Sequence, residues 1–418
     1  MEVMNNHGQP SRAGAERSPD ETSLPLVIAS FSREEGSARG HGGSFTHVRQ
    51  LRQYLEERGT ATTLITPYSW GRSLTVPVFA PRLVLQRFSD PAAAVWYRHW
   101  HEVFLRQALR RFLAGIGECI VYAQGTLDAR AALRARRGPH QRVVMAVHCG
   151  TSEADEWAYN DQIRRDGIVF RTIRRVEREV IPHVDGLMYV SRCARDGLLS
   201  WLPEAEAVPS AVIHDFVAPW HLELAQKPVG DLVTTGQLSP LKNHRFLLEV
   251  LAEAKRAGRS FTLDIFGGGP CRKDLEEQAL SLGLEEQVRF RGFRSDVRSF
   301  LPGYRAYVHA STFESLSLAI IEAMAAGLPI LAAGVGGIPE VCDDGVEARF
   351  WSLDDPAGAA AILIGLLDCE PARLKAATAA SERFHRDFDA EVLGPQLWSF
   401  LQSVAHPTRT APRSGPGS

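Results

Sequence analysis

Short apolar runs alternate with longer amphipathic stretches along most of this chain. A short apolar run predicts a buried strand, and a longer stretch with helical spacing of its apolar residues predicts a helix. The predicted strands are Leu24–Ser30, Ala61–Thr66, Cys119–Ala123, Arg142–His148, Gly186–Val190, Leu232–Gly236, Leu263–Gly267, Val288–Gly292, Ala306–Ala310 and Pro329–Ala333. The predicted helices are Ser44–Arg58, Ala92–Ala114, Asp155–Val180, Asn243–Ala257, Arg272–Leu282, Leu316–Ala326 and Pro356–Leu367. This alternation predicts an α/β protein with parallel, doubly wound sheets covered on both faces.

The alternation pauses where four prolines fall between residues 203 and 230, which places a domain boundary there. Two Rossmann-like domains are expected to face one another, with a ligand cleft between the carboxyl ends of their strands. The expected organisation is a disordered tail at 1–22, a first domain at 23–205, a linker at 206–230, a second domain at 231–390, a C-terminal helix at 391–403 that packs toward the first domain, and a disordered tail at 404–418.

A pair of glutamates marks one apolar helix of the second half, predicted at Leu316–Ala326. Glu322 has only apolar neighbours in sequence, and a buried carboxylate needs hydrogen-bond donors. The segment offers none, so a ligand that carries hydroxyl groups is expected to supply them. Glu314 precedes the helix, where free backbone N–H groups also await an acceptor. This end of the helix is therefore predicted to bind an anion and a set of hydroxyls.

Composition adds limits rather than a function. The 418 residues are 44% hydrophobic and 23% charged, with a net charge of −2, which implies no bulk attraction to nucleic acid or membrane. The polar first 22 residues do not resemble a secretory signal, and no apolar run approaches the ~20 residues of a spanning helix. The six cysteines are scattered without Cys-x-x-Cys spacing, which argues against a zinc site or a disulfide scaffold and favours a cytoplasmic protein.

Other candidate residues follow predicted strands. Lys242 lies at the positive end of a predicted helix, where an anion would suit both the dipole and the ammonium, although a solvated surface lysine is the simpler interpretation. The glycines around Gly268 allow close approach of a ligand or simply a tight turn. In the first half, Gly43 opens a helix after the first strand, and His148 ends a strand at the expected cleft.

These pieces, in this order, closely resemble the retaining glycosyltransferases of family 4, which have the GT-B fold. The resemblance rests on the ordered set Gly42–Val48, His148, Gly236–Asn243, Phe266–Pro270, Glu314–Pro329 and Gly336–Glu340. It covers roughly residues 24 to 400 and is strongest from Thr234 to Gly345.

The resemblance implies a role for each matching residue. Glu322 would hold the ribose hydroxyls of a sugar nucleotide, while Glu314 and His148 would lie beside the donor sugar. Lys242 and the amides of Leu316, Ser317 and Leu318 would hold the diphosphate and stabilise it as it leaves. Gly43 would approach the phosphates or the acceptor. Gly268 would also bind the sugar nucleotide, and Phe293 and Arg294 would cradle its base.

One position departs from the family pattern. The family usually has an arginine after the glycine that corresponds to Gly236, and this chain has Gln237. A neutral amide loses the charge-assisted part of a phosphate contact, about 1 kcal/mol. Lys242 and the helix N-terminus suffice, or Arg245 or Arg294 supplies a second cation, or the chain is a weak enzyme.

No metal and no cofactor is expected, because the sugar nucleotide is itself the donor substrate. The only Asp-x-Asp pattern, Asp387–Asp389, opens a C-terminal helix, where N-capping is the simpler interpretation. Fixed positive groups aimed at the leaving diphosphate would lower the barrier. The resemblance implies transfer with retention of anomeric configuration, with UDP as the expected nucleotide.

The acceptor side is less defined. Residues 96–112 combine aromatic and basic side chains, which fits an ordinary amphipathic core helix or a peripheral contact with an anionic membrane. After His148, the carboxylates Glu153, Asp155 and Glu156 form a solvated helix start or bind a cationic acceptor such as an aminocyclitol. A polysaccharide, a lipid-linked intermediate and a small natural product all remain open as acceptors, and the protein is expected to be a monomer or a homodimer.

Three classes of function remain. An active sugar transferase is the favoured one, while a sugar phosphorylase or epimerase would use a similar cleft. An inactive nucleotide-binding homologue is the third, because of Gln237. A nicotinamide dehydrogenase is disfavoured, since the dinucleotide fingerprint is missing.

Overall fold

A computed structural model describes residues 24–31, 43–70, 72–81, 85, 90–218 and 229–406. The predicted tail at 1–22, the stretch Arg39–Gly42 and much of the predicted linker lie outside these residues.

The first domain is built on a sheet of six parallel strands in the order β2-β1-β3-β4-β5-β6. The strands are β1 (Leu26–Ala29), β2 (Thr62–Ile65), β3 (Cys119–Ala123), β4 (Gln141–Val147), β5 (Gly186–Tyr189) and β6 (Ser210–Val212). All of β1 and β3 is buried, as expected of strands covered on both faces. Strand β2 is added on one side of β1, and β3 to β6 are added on the other side. Such a switch point opens a crevice at the carboxyl ends of the strands.

The second domain has another six-stranded parallel sheet, in the order β12-β11-β10-β7-β8-β9. Its strands are β7 (Leu232–Thr235), β8 (Leu263–Phe266), β9 (Val288–Gly292), β10 (Ala306–His309), β11 (Ile330–Ala332) and β12 (Ala348–Phe350). The switch point lies between β7 and β10, so the segments after these two strands meet at one place. The predicted α/β class with two doubly wound parallel sheets is confirmed.

Helices connect the strands and cover the sheets. They are α1 (Gly43–Glu56), α2 (Arg72–Phe79), α3 (Asp90–Leu113), α4 (Thr126–Ala135), α5 (Glu153–Tyr159), α6 (Ile168–Val180), α7 (Arg192–Leu199), α8 (His244–Arg256), α9 (Arg272–Ser281), α10 (Leu318–Ala325), α11 (Ile338–Val341), α12 (Pro356–Asp368), α13 (Glu370–Asp387) and α14 (Ala390–Ala405). None of the helices in the described ranges is long and apolar enough to cross a membrane.

The structure corrects several boundaries. The predicted helix Asp155–Val180 is two helices, α5 and α6, because Asp161 and Asp166 between them have positive φ angles of 54° and 64°. The segment 206–230 is not linker throughout, since β6 pairs with β5 and extends the first sheet. The tail predicted at 404–418 begins too early, because α14 continues to Ala405 and Val404 is buried.

The last helix returns to the first domain. Glu391 of α14 accepts a hydrogen bond of 2.7 Å from Arg58, and the ring of Tyr54 lies against Gly394 so closely that a Cβ there would collide with it. Leu397 belongs to an apolar cluster that also contains Ile28 of the first sheet and Ile330 of the second. Burial of α14 in this shared cluster therefore links the two domains.

Candidate active site

Glu314 follows β10 and is held by three donors. Lys242 Nζ lies 2.5 Å from its Oε1, Ser311 Oγ donates to the same oxygen at 2.7 Å, and His309 Nε2 lies 2.9 Å from it. Burial alone would raise the pKa of Glu314, but Lys242 and His309 oppose it and hold the pKa at about 2. The carboxylate is therefore ionised at neutral pH although only 9% of the residue is exposed.

Lys242 reaches Glu314 from the turn after β7. It ends a short 3₁₀ turn, Pro240–Lys242, and is followed by Asn243 with a left-handed φ of 48°. Helix α8 begins at His244, one residue later than predicted, and the preceding Asn243 makes no side-chain capping hydrogen bond. Lys242 is already ion-paired, because the Glu314 carboxylate neutralises part of its charge.

Glu322 has a partner that the sequence analysis did not find. Arg298, 24 residues earlier, donates to Glu322 Oε1 from Nε at 3.1 Å and from Nη2 at 2.6 Å. The expectation that only a ligand satisfies this carboxylate is therefore wrong. The two side chains are 18% and 14% exposed, so both keep access to a ligand. No signal in the sequence around α10 points to Arg298, which lies on a short turn after β9.

The glycine turns hold these segments close together. Gly267 packs against the Gly236 carbonyl and Gly269 against Leu238, and a Cβ at either glycine would collide with that backbone. Gly268 between them has open space where a Cβ would lie. Gly267 and Gly269 are therefore explained by a tight turn, whereas Gly268 leaves room for a ligand.

A second glycine turn supports the Glu314 loop from behind. Gly337 N donates to the Glu314 carbonyl at 2.7 Å, and Gly336 has a φ of 56°. A Cβ at Gly336 would collide with the Glu314 carbonyl, and one at Gly337 with the Ser315 carbonyl. This turn therefore packs directly against the Glu314 segment.

The N-terminus of α10 lies directly after this loop. The helix begins at Leu318 with Ser317 as its N-cap, rather than at the predicted Leu316. Ser317 has no side-chain capping hydrogen bond, so the first-turn amides are not capped by it. Gly43, the first residue of α1, faces this terminus, since a Cβ on it would lie 3.7 Å from the Leu318 side chain. The starts of two helices from different domains therefore face each other.

His148 lies one residue beyond β4, on the first-domain wall. Its Nε2 is 3.1 Å from Gln124 Oε1, and its ring lies edge-on to His47 at 5.2 Å. His47 Nδ1 is in turn 2.7 Å from Asp215. Burial lowers the pKa of His148 to about 4, against the opposing charge of Asp215. The imidazole is thus neutral at pH 7, and its Nδ1 is buried without a hydrogen-bond partner in the described part of the chain.

The two domains touch beside Glu314. Ser315 Oγ donates to the His148 carbonyl, and Ser191 Oγ donates to the Ser315 carbonyl at 2.5 Å. Glu340, from the second glycine turn, accepts from the amides of Arg192 and Cys193 at 2.8 Å each. Glu340 thus satisfies the first-turn amides of α7 in the other domain. These contacts bring His148, Glu314 and Lys242 together around one cleft.

The residues predicted to bind the base and the diphosphate are more exposed than Glu314. Gln237 is exposed and Phe293 is 46% exposed. Arg294 is committed to Asp296 through hydrogen bonds of 2.9 and 2.7 Å and lies over the Phe300 ring. Arg245 is 3.5 Å from Glu249 and mostly exposed. Neither arginine is held near Lys242 by a contact, so neither is shown to replace the family arginine at Gln237.

The aromatic and basic segment 96–112 lies within α3. Trp96 donates to the Val78 carbonyl at 2.9 Å, and its ring packs on Trp100, which packs on Phe104. Arg98 is buried and paired with Glu153, so it does not belong to a solvated basic face. These are the contacts of a packed helix, which favours the core interpretation.

The Asp-x-Asp pattern serves a helix start. Asp389 is the N-cap of α14 and accepts from the Glu391 amide at 3.0 Å, as predicted. Within the described residues no group of three or more His, Cys, Asp or Glu side chains is arranged to hold a metal ion.

Comparison with known proteins agrees with this geometry. Residues 230–369 match the family model of the glycosyl transferases group 1. The chain is 28% identical to 2-deoxystreptamine glucosyltransferase of Streptomyces kanamyceticus over 214 residues, 48% of this chain and 54% of that protein. It is 35% identical to D-inositol 3-phosphate glycosyltransferase of Streptomyces scabiei over 169 residues, 37% of this chain and 38% of that protein. The chain thus spans about half the length, or less, of these curated relatives.

Among solved structures, Anabaena HepE in complex with UDP and glucose matches with a TM-score of 0.65 at 17% identity, over 91% of this chain and 100% of that one. The two sheets that face each other across the cleft form a GT-B architecture. The match to the glycosyl transferases group 1 family thus lies within the second domain.

Proposed function

We propose that this protein is a retaining glycosyltransferase of family 4 that moves a sugar from a nucleoside diphosphate sugar to an acceptor hydroxyl. The observation that carries the proposal is the meeting of Lys242, Glu314 and the start of α10 at one cleft, inside a group 1 domain. A lysine and a row of backbone amides suit a diphosphate, and a neighbouring ionised carboxylate suits sugar hydroxyls.

In the proposed reaction, the bond between the anomeric carbon and the diphosphate breaks while the acceptor oxygen bonds to that carbon from the same face. The proton of the acceptor hydroxyl passes to the departing diphosphate oxygen. Negative charge grows on the diphosphate, and Lys242 with the amides of Ser317 and Leu318 stabilises it without reorganisation. Glu314 binds hydroxyls of the donor sugar. The neutral His148 has a buried Nδ1 without a hydrogen-bond partner in the described part of the chain, and we propose this atom as a hydrogen-bonding group for the sugar.

The proposed nucleotide is UDP, with Glu322 on the ribose and Gly268, Phe293 and Arg294 near the base. Arg298 fixes the orientation of Glu322 through two hydrogen bonds to its Oε1. The UDP bound in Anabaena HepE supports this choice by fold alone. The six cysteines are all unpaired, which fits the proposed cytoplasmic location.

The proposed acceptor is a small cyclitol. Two relatives are named for cyclitols, 2-deoxystreptamine and D-inositol 3-phosphate. The first-domain wall also offers an acidic segment after His148, which suits an amine-bearing ring better than an anionic lipid.

A thermal-shift panel of nucleoside diphosphates and their sugars tests the proposed function. A nucleotide present at 100 times its Kd should stabilise the fold by about 2.7 kcal/mol, which is a clear rise in the midpoint. UDP is expected to stabilise most, and transfer from the matching sugar nucleotide should require an acceptor. If no nucleotide raises the midpoint, the proposal fails. If nucleotides bind but no sugar is transferred, the chain is the inactive homologue that Gln237 suggests.

The ribose role of Glu322 has its own test. Glu322→Ala should raise the Kd of UDP by about tenfold to a hundredfold, because hydrogen bonds to a charged group are lost. The exposed Glu286→Ala serves as the matched control and should bind UDP as the native protein does. Native affinity in Glu322→Ala would contradict the assignment.

A further inference from the structure

Helix α7 of the first domain contacts the second domain at its N-terminus. The amides of Arg192 and Cys193, in the first turn of the helix, donate to the two carboxylate oxygens of Glu340 at 2.8 Å each. The side chain of Glu340 is only 12% exposed, and Arg192 Nε lies 3.5 Å from the same carboxylate. A helix N-terminus favours an acceptor that carries negative charge, so Glu340 joins the two domains at this point.

The N-cap of α7 contacts a different segment of the second domain. Ser191 Oγ accepts from the Ala194 amide at 2.9 Å and donates to the Ser315 carbonyl at 2.5 Å. Ser315 directly follows Glu314, and its own hydroxyl donates to the His148 carbonyl. The start of α7 is therefore joined to the loop that carries Glu314.

The body of α7 packs on the segment after β4. Gly197 lies so close to the Gly150 carbonyl that a Cβ at Gly197 would collide with it. Gly150 in turn lies against the ring of Phe313, which precedes Glu314. Because His148 is two residues before Gly150, the same short helix holds the segments of both proposed sugar-binding residues.

The second glycine turn connects Glu340 to the Glu314 loop. Gly337 N donates to the Glu314 carbonyl at 2.7 Å, and Glu340 lies three residues further along, on α11. The carboxylate that holds α7 is thus carried by the turn that also supports the Glu314 loop. Loss of the contact between Glu340 and α7 is therefore expected to shift this loop relative to His148.

The groups assigned to the nucleotide lie within the second domain. Lys242 contacts Glu314, and Arg298 contacts Glu322. Nucleotide binding at these residues requires no contact with α7. Sugar transfer differs, because groups on both walls of the cleft must stand at fixed positions around the donor sugar.

We propose that Glu340 is a positioning residue for sugar transfer, and that it acts through α7. Its carboxylate fixes the first domain against the second and so sets the separation between His148 and Glu314. This role rests on the glycosyltransferase function proposed above, in which these two residues contact the donor sugar. It gives a residue at the contact between the domains a part in transfer but none in nucleotide binding.

Three measurements on the full-length Glu340→Ala variant test this role. Calorimetric titration gives the Kd of UDP. Release of UDP from UDP-glucose and from UDP-N-acetylglucosamine, with 2-deoxystreptamine as the acceptor, gives kcat and KM. Hydrogen exchange followed by mass spectrometry reports on the first-turn amides of α7.

Glu340→Ala should bind UDP with the native Kd, because the nucleotide site lies in the second domain. Its kcat should fall by about tenfold to a hundredfold, as a displacement of about 1 Å at the reacting groups produces. The first-turn amides of α7 should exchange about tenfold faster, because they lose their acceptor.

Glu340→Gln is the conservative variant. Its amide oxygen can accept from one of the two amides, but it lacks the charge that suits a helix N-terminus. Its kcat and its exchange rate should therefore lie between those of the native chain and Glu340→Ala. Glu382→Ala is the matched control, because Glu382 is an exposed glutamate on α13, and it should match the native chain in all three measurements. If Glu340→Ala does not fold, Glu340→Gln compared with this control decides.

The outcomes distinguish the role of Glu340 from the proposed function. If the native chain binds no UDP, or releases none from either sugar nucleotide, the proposed function fails and the role of Glu340 fails with it. If the native chain is active and Glu340→Ala keeps the native kcat, only the role of Glu340 is overturned. A loss of UDP affinity as large as the loss of kcat, or native exchange of the α7 amides, also overturns it.

Discussion

Glu314 retains its charge in a nearly closed site because three donors converge on one of its oxygens. Lys242, Ser311 and His309 all contact Oε1. Lys242 lies in the turn after β7, His309 is the last residue of β10, and Ser311 follows it. Burial of a carboxylate is costly, and only such charge-assisted contacts offset it. The same arrangement ties Lys242 to a fixed position, where it is ready for a second anion.

Lys242→Ala is expected to reduce kcat by about a hundredfold to a thousandfold, because the charge that meets the leaving diphosphate is lost. The variant should also bind UDP more weakly. The measurement is steady-state transfer with the sugar nucleotide identified by thermal shift. The exposed Lys273→Ala is the matched control and should retain native rates. Unchanged kcat/KM in Lys242→Ala would contradict the proposed role.

Residue by residue, the sequence located the carboxylates better than their partners. Glu314 and Glu322 stand out because a carboxylate next to an apolar helix is rare. Arg298 and His309 did not stand out, because they come into contact with the glutamates only when the segments after separate strands are brought together in the fold. The predicted role of Glu156 as one of three equal acidic residues also changed, because the structure pairs the other two with arginines.

At the scale of elements, glycine turns decide how closely the site segments approach. Gly336 combines a positive φ of 56° with a close approach to the Glu314 carbonyl. Gly345 has a similar φ of 81°, but open space surrounds the place of its Cβ. Alanine variants of the two glycines therefore distinguish the effect of backbone strain, which both share, from displacement of the Glu314 loop, which only the Gly336 variant causes.

Gly345→Ala is expected to lower stability by about 1–2 kcal/mol, because alanine in the left-handed region is strained. Gly336→Ala is expected to lower stability further, because its Cβ would also collide with the Glu314 carbonyl. Only Gly336→Ala should also reduce UDP affinity and transfer, since it pushes the Glu314 loop away from Lys242. Thermal midpoints and UDP titrations measure both effects. Equal loss of UDP affinity in the two variants would contradict the supporting role of Gly336.

The strands in the middle of each sheet are predictable from their apolar runs, because burial on both faces leaves no polar positions. The two that were missed, β6 and β12, are three-residue edge strands with half-buried side chains. Such short strands have too few residues for a recognisable hydrophobic pattern. They form because the neighbouring strand has unpaired backbone groups at the edge of the sheet. The break between α5 and α6 was missed for a similar reason, since it depends on backbone angles at Asp161 and Asp166.

At the scale of the whole molecule, contacts between the domains complete the site. Ser315 donates to the His148 carbonyl, and Glu340 accepts from the α7 amides. Each contact joins a loop of one sheet to a loop or helix of the other. The segment that carries His148 in the first domain is thereby held against the loop that carries Glu314 in the second.

Stability should fall as the pH drops from about 6.5 toward 4. The pKa of His148 is lowered to about 4, so the unfolded chain takes up a proton that the folded protein does not. This loss amounts to as much as ~1.4 kcal/mol per pH unit, and it is absent above pH 6.5. His148→Gln removes the group, so its stability relative to the native chain should improve at pH 5 compared with pH 7.5. Thermal midpoints of both proteins measure this, and a constant difference would contradict the burial of His148.

The amino-acid order alone specified the two-sheet class, the middle strands and the set of residues at their carboxyl ends. Those features follow from local hydrophobic patterns and from the rule that ligands meet the ends of parallel strands. Only the tertiary structure decided which charges pair, that Glu322 has Arg298 and that Glu156 is left without an ion pair in the described part of the chain. Pairing depends on distances of a few ångströms between segments far apart in sequence, and no local pattern records such distances.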